Sequence, residues 1–292
     1  MTISEMHRAF KLELDKIDSL QYPAFTANEI DYFLNLAIKK FVKTRYSGHN
    51  IKQQSFEETQ KRIDDLKVLV REVTVPCTTG TAGVNKPNSY VLTSGFSNAI
   101  FSAAPYWLSL GEEVNITITS TSVTKRQGVT PVTADAYRFH VDDPFSEHIL
   151  HYNCAKPLRL FYNNTIEFIT DGSYSITEAY IRYIKEPIPV NATAVIGVTT
   201  GNILPGRRYL AATSGSITYN GTSYAVGTTF IGVEGVTAFT PVGGGTVNFV
   251  ATDCELSNIT HDEIVSMAVL IALEEVEQPR YQSYSNELST KE

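Results

Sequence analysis

The stretch THDEIVSMAVLIALEEVEQPRYQS, residues 260–283, is the most strongly helical passage of a 292-residue chain, and it arrives after a long run that reads as strands and turns. Thr260 and Glu263 have the spacing of a capping box, and Pro279 supplies a stop. Between them Ile264, Val265, Ala268, Ile271, Ala272 and Val276 line one face, and Met267 and Leu270 widen it. A stripe that broad requires burial against several helices. The fold therefore turns on where those helices lie.

They lie at the opposite end of the sequence. Ile3, Met6, Phe10, Leu14, Ile17 and Leu20 recur in steps of three and four, which places them on one helical face. Tyr22-Pro23 breaks that helix, and Thr26 with Glu29 restarts a second, carrying Ile30, Phe33, Leu34, Ala37, Ile38 and Phe41 inward. Gly48 ends it. Ser55 and Glu58 repeat the capping spacing before Ile63, Leu66, Leu69 and Val70. Short links make neighbouring helices antiparallel, and three helices leave a groove open. The late helix is expected to fill it, with Ile264, Ala268 and Ile271 on the first two helices.

The period changes from Val73. VTVPC, SYVLTS, NITITSTSVT, YRFHV, LRLFYN, TIEFIT and EAYIRYIKEPIPV are short alternating runs rich in Val, Ile, Thr, Tyr and Phe, so each is predicted as a strand. Asn163-Asn164 is a hairpin turn that accepts positive φ. After Pro187 and Pro189 the chain becomes Gly-, Thr- and Val-rich, with a hairpin at Asn220-Gly221 and a second turn at Gly243-Gly244-Gly245. The expected class is α+β. Residues 1–72 give the N-terminal helices, 73–190 an antiparallel β-domain, 191–252 an inserted all-β module, and 253–292 the closing helix with an extended polar tail.

Net charge is −7 and Lys and Arg are dispersed, which disfavours sequence-specific binding of nucleic acid. No window approaches the roughly 18 apolar residues of a membrane span, and the start carries no basic leader, so a soluble chain made in a cytoplasm is expected. Cys77, Cys154 and Cys254 are far apart and odd in number, which describes buried thiols and not a disulfide framework. Asn-x-Thr tripeptides such as Asn115–Thr117 follow from the abundance of Asn and Thr.

Candidate chemistry is sparse. His148, His151 and Cys154 have a spacing that would gather zinc ligands on a helix, yet HILHYN is strand-like, and a strand puts the two histidines on opposite faces. Asp142-Asp143-Pro144 reads as a turn, and His261-Asp262-Glu263 as the acidic first turn of a helix without the second histidine of a zinc protease. Gly-rich stretches lack the lysine and following helix of a phosphate loop. No catalytic residue, cofactor or metal is expected. Lys39, Lys40, Lys43 and Arg45 form the main positive cluster, a solvated helix face or a contact for an acidic partner, and Arg207-Arg208 form another.

FTANEIDYFLNLAIKKFVKTRYSGHN, SFEETQKRIDDLKVLV, YIRYIKEPIPV and CELSNITHDEIVSMAVLIALEEVEQPRYQS, in that order, resemble a family of tailed-bacteriophage neck proteins found in crAss-like podoviruses. The resemblance covers residues 1–190 and 251–292. It implies a ring-forming head-to-tail connector: a virion protein without catalysis, twelve copies to a ring, partnered by the portal and by other neck and tail rings. It further implies Lys39, Lys43, Arg45, Tyr46, Pro279, Arg280 and Tyr281 as assembly contacts. The alternative reading, argued from the Gly/Thr-rich β-half and its many Tyr residues, is a virion-displayed β-module that binds carbohydrate or a host receptor, although Trp107 is the one tryptophan in the chain.

Overall fold

The computed structural model describes residues 1–17, 25–47, 60–102, 104–192, 195–198, 201–204, 206–212, 216–233, 235–242 and 246–275. The fold is α+β and divides into two units, Met1–Leu69 with Pro187–Glu292, and Val70–Glu186. Its helices in chain order are α1 (Ile3–Ile17), α2 (Ala27–Tyr46), α3 (Gln60–Leu66), the short α4 (Ala99–Ser102) and α5 (Tyr137–Asp142), and α6 (His261–Glu275).

In the first unit α6 packs on both α1 and α2. A 15-residue helix is marginal by itself in water. What holds α6 is burial, each fully covered Ile, Val or Leu contributing about 1.5–3 kcal/mol. Ile264, Val265, Ala268, Leu270 and Ala272 are buried as the periodicity predicts, while Ile271 is half-buried. Val269, Leu273, Ser266 and His261 are buried as well, so coverage runs farther round the helix than the apolar stripe implies. Across from it, α1 buries Ile3, Met6, Phe10 and Leu14, and Phe10 stacks on Phe33 of α2 at 6.3 Å between centroids. The expected inward face of α2 is buried at every position named, Ile30 to Phe41.

The Thr26–Glu29 capping box forms: Thr26 N donates to Glu29 Oε2 at 2.7 Å and Glu29 N to Thr26 Oγ1 at 3.4 Å. At α6 the expected box gives way to a 3-10 turn, Asn258–Thr260, in which the Thr260 hydroxyl donates to Ser257 O at 2.8 Å. Glu263 is drawn elsewhere. Its two carboxylate oxygens accept from Arg45 Nη2 at 2.6 and 2.7 Å, and Arg45 Nε donates to Asp65 Oδ2 at 3.1 Å. One guanidinium thereby joins α2, α3 and α6. Arg62 of α3 donates to Thr44 O and Arg45 O, satisfying carbonyls at the C-terminal end of α2. The Ser55–Glu58 spacing, Leu20, Gly48, Val276 and the Gly243–Gly245 turn lie outside the described residues.

The second unit holds β1 (Val70–Thr79), β2 (Ser89–Leu92), β3 (Tyr106–Ile118), β4 (Thr124–Gly128), β5 (Thr130–Pro131), β6 (Leu158–Tyr162), β7 (Thr165–Ile169) and β8 (Tyr174–Lys185). They make one sheet in the order β4-β3-β8-β1-β2-β7-β6-β5, antiparallel except where β5 meets β6. Asn163 and Asn164 turn the β6–β7 hairpin with φ of 45° and 56°, the left-handed geometry that the sequence predicts. YRFHV is a correction: it is α5, not a strand. Tyr137 N donates to Thr133 O, and Tyr137 with Val141, one turn apart, seals a small core of Leu158, Leu160 and Ile169. Burial of that pair overrides strand propensity.

Residues 191–252 build two further sheets within the first unit. One has the order β13 (Thr229–Ile231), β10 (Arg207–Ala212), β15 (Thr246–Thr252), β9 (Val195–Val198), and the other β12 (Thr222–Ala225), β11 (Ser216–Tyr219), β14 (Phe239–Val242). Their side chains enclose a core of Tyr209, Ile217, Tyr219, Phe230, Val247 and Phe249. Asn220 and Gly221, at φ 48° and 73°, make the expected hairpin. Where this segment begins and ends, Asn191 and Thr252 exchange two backbone hydrogen bonds, 3.2 and 2.8 Å.

Replacing Arg45 by Met removes the guanidinium that meets the buried Asp65 and the half-buried Glu263. The substitution is expected to lower stability by about 3 kcal/mol, the low end for a broken buried pair because Glu263 keeps some water. Urea unfolding of wild type and Arg45→Met checks it; matching midpoints would remove the ion pair from the account.

Candidate functional site

The positive cluster on α2 separates by burial. Lys40 and Lys43 are exposed, Lys39 and Tyr46 half-buried, and Arg45 is only 4% exposed, inside the three-helix junction with its Cζ 4.9 Å from the Phe41 ring centre. Arg45 is thus an internal tie and not part of an exposed cationic face. Pro279, Arg280 and Tyr281 lie outside the described residues. Arg208 pairs with Asp253, and Arg207 sits 5.6 Å from the Phe249 ring centre.

The base of the 191–252 segment is tied to the helices by polar side chains. Asn35 of α2 grips Val190 twice, accepting from its N at 2.8 Å and donating to its O at 3.0 Å. Asp31 accepts from Ala192 N at 3.0 Å and pairs with His7 Nε2 at 2.7 Å. On the returning side Asp253 accepts from Ile3 N at 2.9 Å, and Glu255 accepts from Ile188 N at 3.0 Å. None of these pairings was visible in sequence spacing, because the partners are far apart along the chain.

Tyrosine hydroxyls pin loops inside each unit. Tyr174, Tyr183, Tyr209 and Tyr219 are among the largest fully buried side chains, and each hydroxyl meets a loop backbone. Tyr174 donates to His148 O and Tyr183 to Ala104 O; Tyr209 accepts from Leu204 N; Tyr219 accepts from Val233 N and donates to Val236 O. The ring supplies apolar burial and the hydroxyl satisfies a loop.

The second unit carries two kinds of outward surface. Across β1, β8, β3 and β4 runs a charged ladder: Glu72 pairs with Arg182 and Arg126, and Arg126 also pairs with Glu113 while lying 3.8 Å from the Tyr180 ring centre. The segment between β5 and β6 differs. It exposes Phe139 by 78%, Phe145 by 86% and Tyr152 fully. Asp142-Asp143-Pro144 is a turn as predicted, Asp143 Oδ1 accepting from Phe145 N at 2.9 Å and Asp143 O from Ser146 N at 3.1 Å. Beside it lies a cleft of about 690 Å³ lined by Tyr137, Val141, Ile149 and Ile169 and, on the polar side, by Lys86, Arg138, His148 and Asp171.

The stretch EHILHYNC is not the strand its composition suggests but a succession of turns. His148 is buried with Nδ1 2.9 Å from Ser146 Oγ, whereas His151 and Cys154 are exposed and exchange backbone hydrogen bonds across a turn at Tyr152-Asn153. Cys154 is therefore an exposed thiol, contrary to expectation. Cys77 and Cys254 are largely shielded, and burial pushes their thiols up to about 12 and about 11. His261 is buried at the start of α6 beside Leu256 O. Among the described residues no group of His, Cys, Asp and Glu is placed to hold a metal ion, and no helix is long and apolar enough to cross a membrane.

A family model described as phage tail ring protein 3/4 matches residues 1–201, which include α1 to α5, the whole second unit and β9. The chain belongs to that family, one of crAss-like phages. It is a structural ring protein of the phage tail and neck, a virion component that associates with copies of itself and with other tail or neck proteins. A search of curated proteins finds no match.

Desolvation lowers the His148 pKa below the ordinary 6.5, partly opposed by Asp171. A depressed histidine contributes stability that is complete above about pH 6.5 and declines as pH falls below it, since the unfolded chain takes up the proton first. Thermal unfolding is expected to shift down between pH 7.5 and 5.0, and the shift to shrink in His148→Gln. Equal shifts in the two proteins would show that His148 is not the group responsible.

Proposed function

We propose that this ring protein joins the capsid portal to the tail, as a ring of twelve copies beneath the portal, and that it acts without catalysis. The family match over residues 1–201 carries the reading, together with the order of N-terminal and late segments that resembles head-to-tail connectors. A ring subunit must present two different surfaces to its neighbours, and a chain with a tied helical bundle and a sheet unit bearing exposed aromatics suits that task. Lys39, Lys43 and Tyr46 on α2, with Pro279, Arg280 and Tyr281, are the proposed contacts to portal and neighbouring rings. Arg45 supports that face from within.

Residues 191–252 form a module on this reading, hung on the helices through Asn35, Asp31 and Asp253, its base closed by Glu255 on Ile188, and facing outward from the ring. A receptor-binding role loses its main argument at Tyr209 and Tyr219, which are buried in the module's own core.

Two experiments test these statements. Purified protein mixed with the portal of its phage should give portal-capped rings of twelve by cryo-electron microscopy, and a different symmetry or no binding would count against the assignment. A variant with residues 193–250 replaced by a short Asn-Gly turn should keep the helical circular dichroism expected of α1, α2 and α6 and still bind portal. Loss of helical signal would make the segment part of the bundle's folding core.

A further inference from the structure

The segment joining β5 to β6 carries protruding aromatics beside a cleft of mixed apolar and polar lining, and the two do not meet within one subunit. Phe139 and Phe145 remain 78% and 86% exposed, so neither occupies the cleft. Helical geometry explains why for Phe139. Tyr137 and Val141 are one turn apart on the face of α5 that lines the cleft, and Phe139, two residues from each, stands on the opposite face with Asp142. The backbone at Phe145 is set by the Asp143 turn and by Pro144, so little backbone freedom is left to lose there on docking.

The charges are complementary. Exposed Asp142 and Asp143 flank the aromatics, whereas Lys86 and Arg138 line the cleft, with Lys86 Nζ 5.0 Å from the Tyr137 ring centre. Asp171, the acid in the cleft wall, is already engaged by Leu150 N, Ser173 N and Ser173 Oγ. A cleft of about 690 Å³ has room for a benzyl side chain. An exposed knob and an unfilled matching cleft on the same chain are the ingredients of a head-to-tail contact, the type that closes into a ring when its rotation permits.

We infer that Phe139 and Phe145 of one copy dock into the Tyr137–Val141–Ile149–Ile169 cleft of the next copy, with Asp142 and Asp143 against Lys86 and Arg138. The inference rests on the ring reading and names the surface through which neighbours in the ring meet.

Native mass spectrometry of the full chain at rising concentration tests it. Wild type is expected to form rings. Phe139→Ala with Phe145→Ala, which removes the knob, and Ala134→Trp, which fills the cleft, should each raise the concentration needed for association by more than about tenfold. Both alter exposed positions, and unchanged circular dichroism and melting confirm folding. Mixed one to one, the two variants should form dimers and nothing larger, because the knob-less chain keeps its cleft and the cleft-filled chain keeps its knob. Rings formed equally well by wild type and both variants overturn this contact and leave the ring reading standing, with another chain then the candidate for the cleft. Wild type that stays monomeric throughout overturns both the contact and a self-assembling ring.

Discussion

The helix α6 has almost no side that tolerates water. Ile264, Val265, Ala268, Val269, Leu270, Ala272 and Leu273 take up most of its circumference, and such a segment persists only inside a sheath of other helices. That requirement forces the chain to return, after a sheet of eight strands and a further β-segment, to the helices with which it began. Apolar coverage alone does not fix how α6 is rotated within its sheath. The Arg45 guanidinium does, since it reaches Asp65 of α3 and both oxygens of Glu263 from α2. A buried ion pair adds little net stability, but misalignment would strand charges in the interior, so it selects one register.

The bundle was legible because three- and four-residue apolar steps and the Thr26–Glu29 pair are local signals. So were the hairpins at Asn163-Asn164 and Asn220-Gly221, where the side chains that tolerate positive φ announce the turn. The extra burial of Val269 and Leu273 was not, since coverage depends on neighbours that arrive from elsewhere in the chain. YRFHV misled because alternation over five residues fits a strand as well as a single helical turn. The backbone bond from Tyr137 N to Thr133 O that starts the helix has no counterpart in residue type.

The candidate surfaces were harder to read for a related reason. Sequence marks Lys39, Lys43 and Arg45 alike as cations, and separates them only when the partners of Arg45, 20 and 218 residues away, are in place. Phe139 and Phe145 look in sequence like two more core aromatics. Many Tyr residues suggested a binding platform, yet four of them are interior struts whose hydroxyls hold Ala104, His148, Leu204, Val233 and Val236 in place. Residue type gives the chemistry available at a position, and only the fold decides whether that chemistry faces a neighbour or the interior.

The paired backbone of Asn191 and Thr252 has a consequence for what the helices can tolerate between them. Because the two ends of the segment are already neighbours, the helices see a closed staple of fixed width however much chain hangs from it. The entropic cost of a longer connection grows only with the logarithm of its length. A change in the length of the segment therefore need not alter the spacing between Val190 and Asp253, and the helices are insulated from what hangs between them.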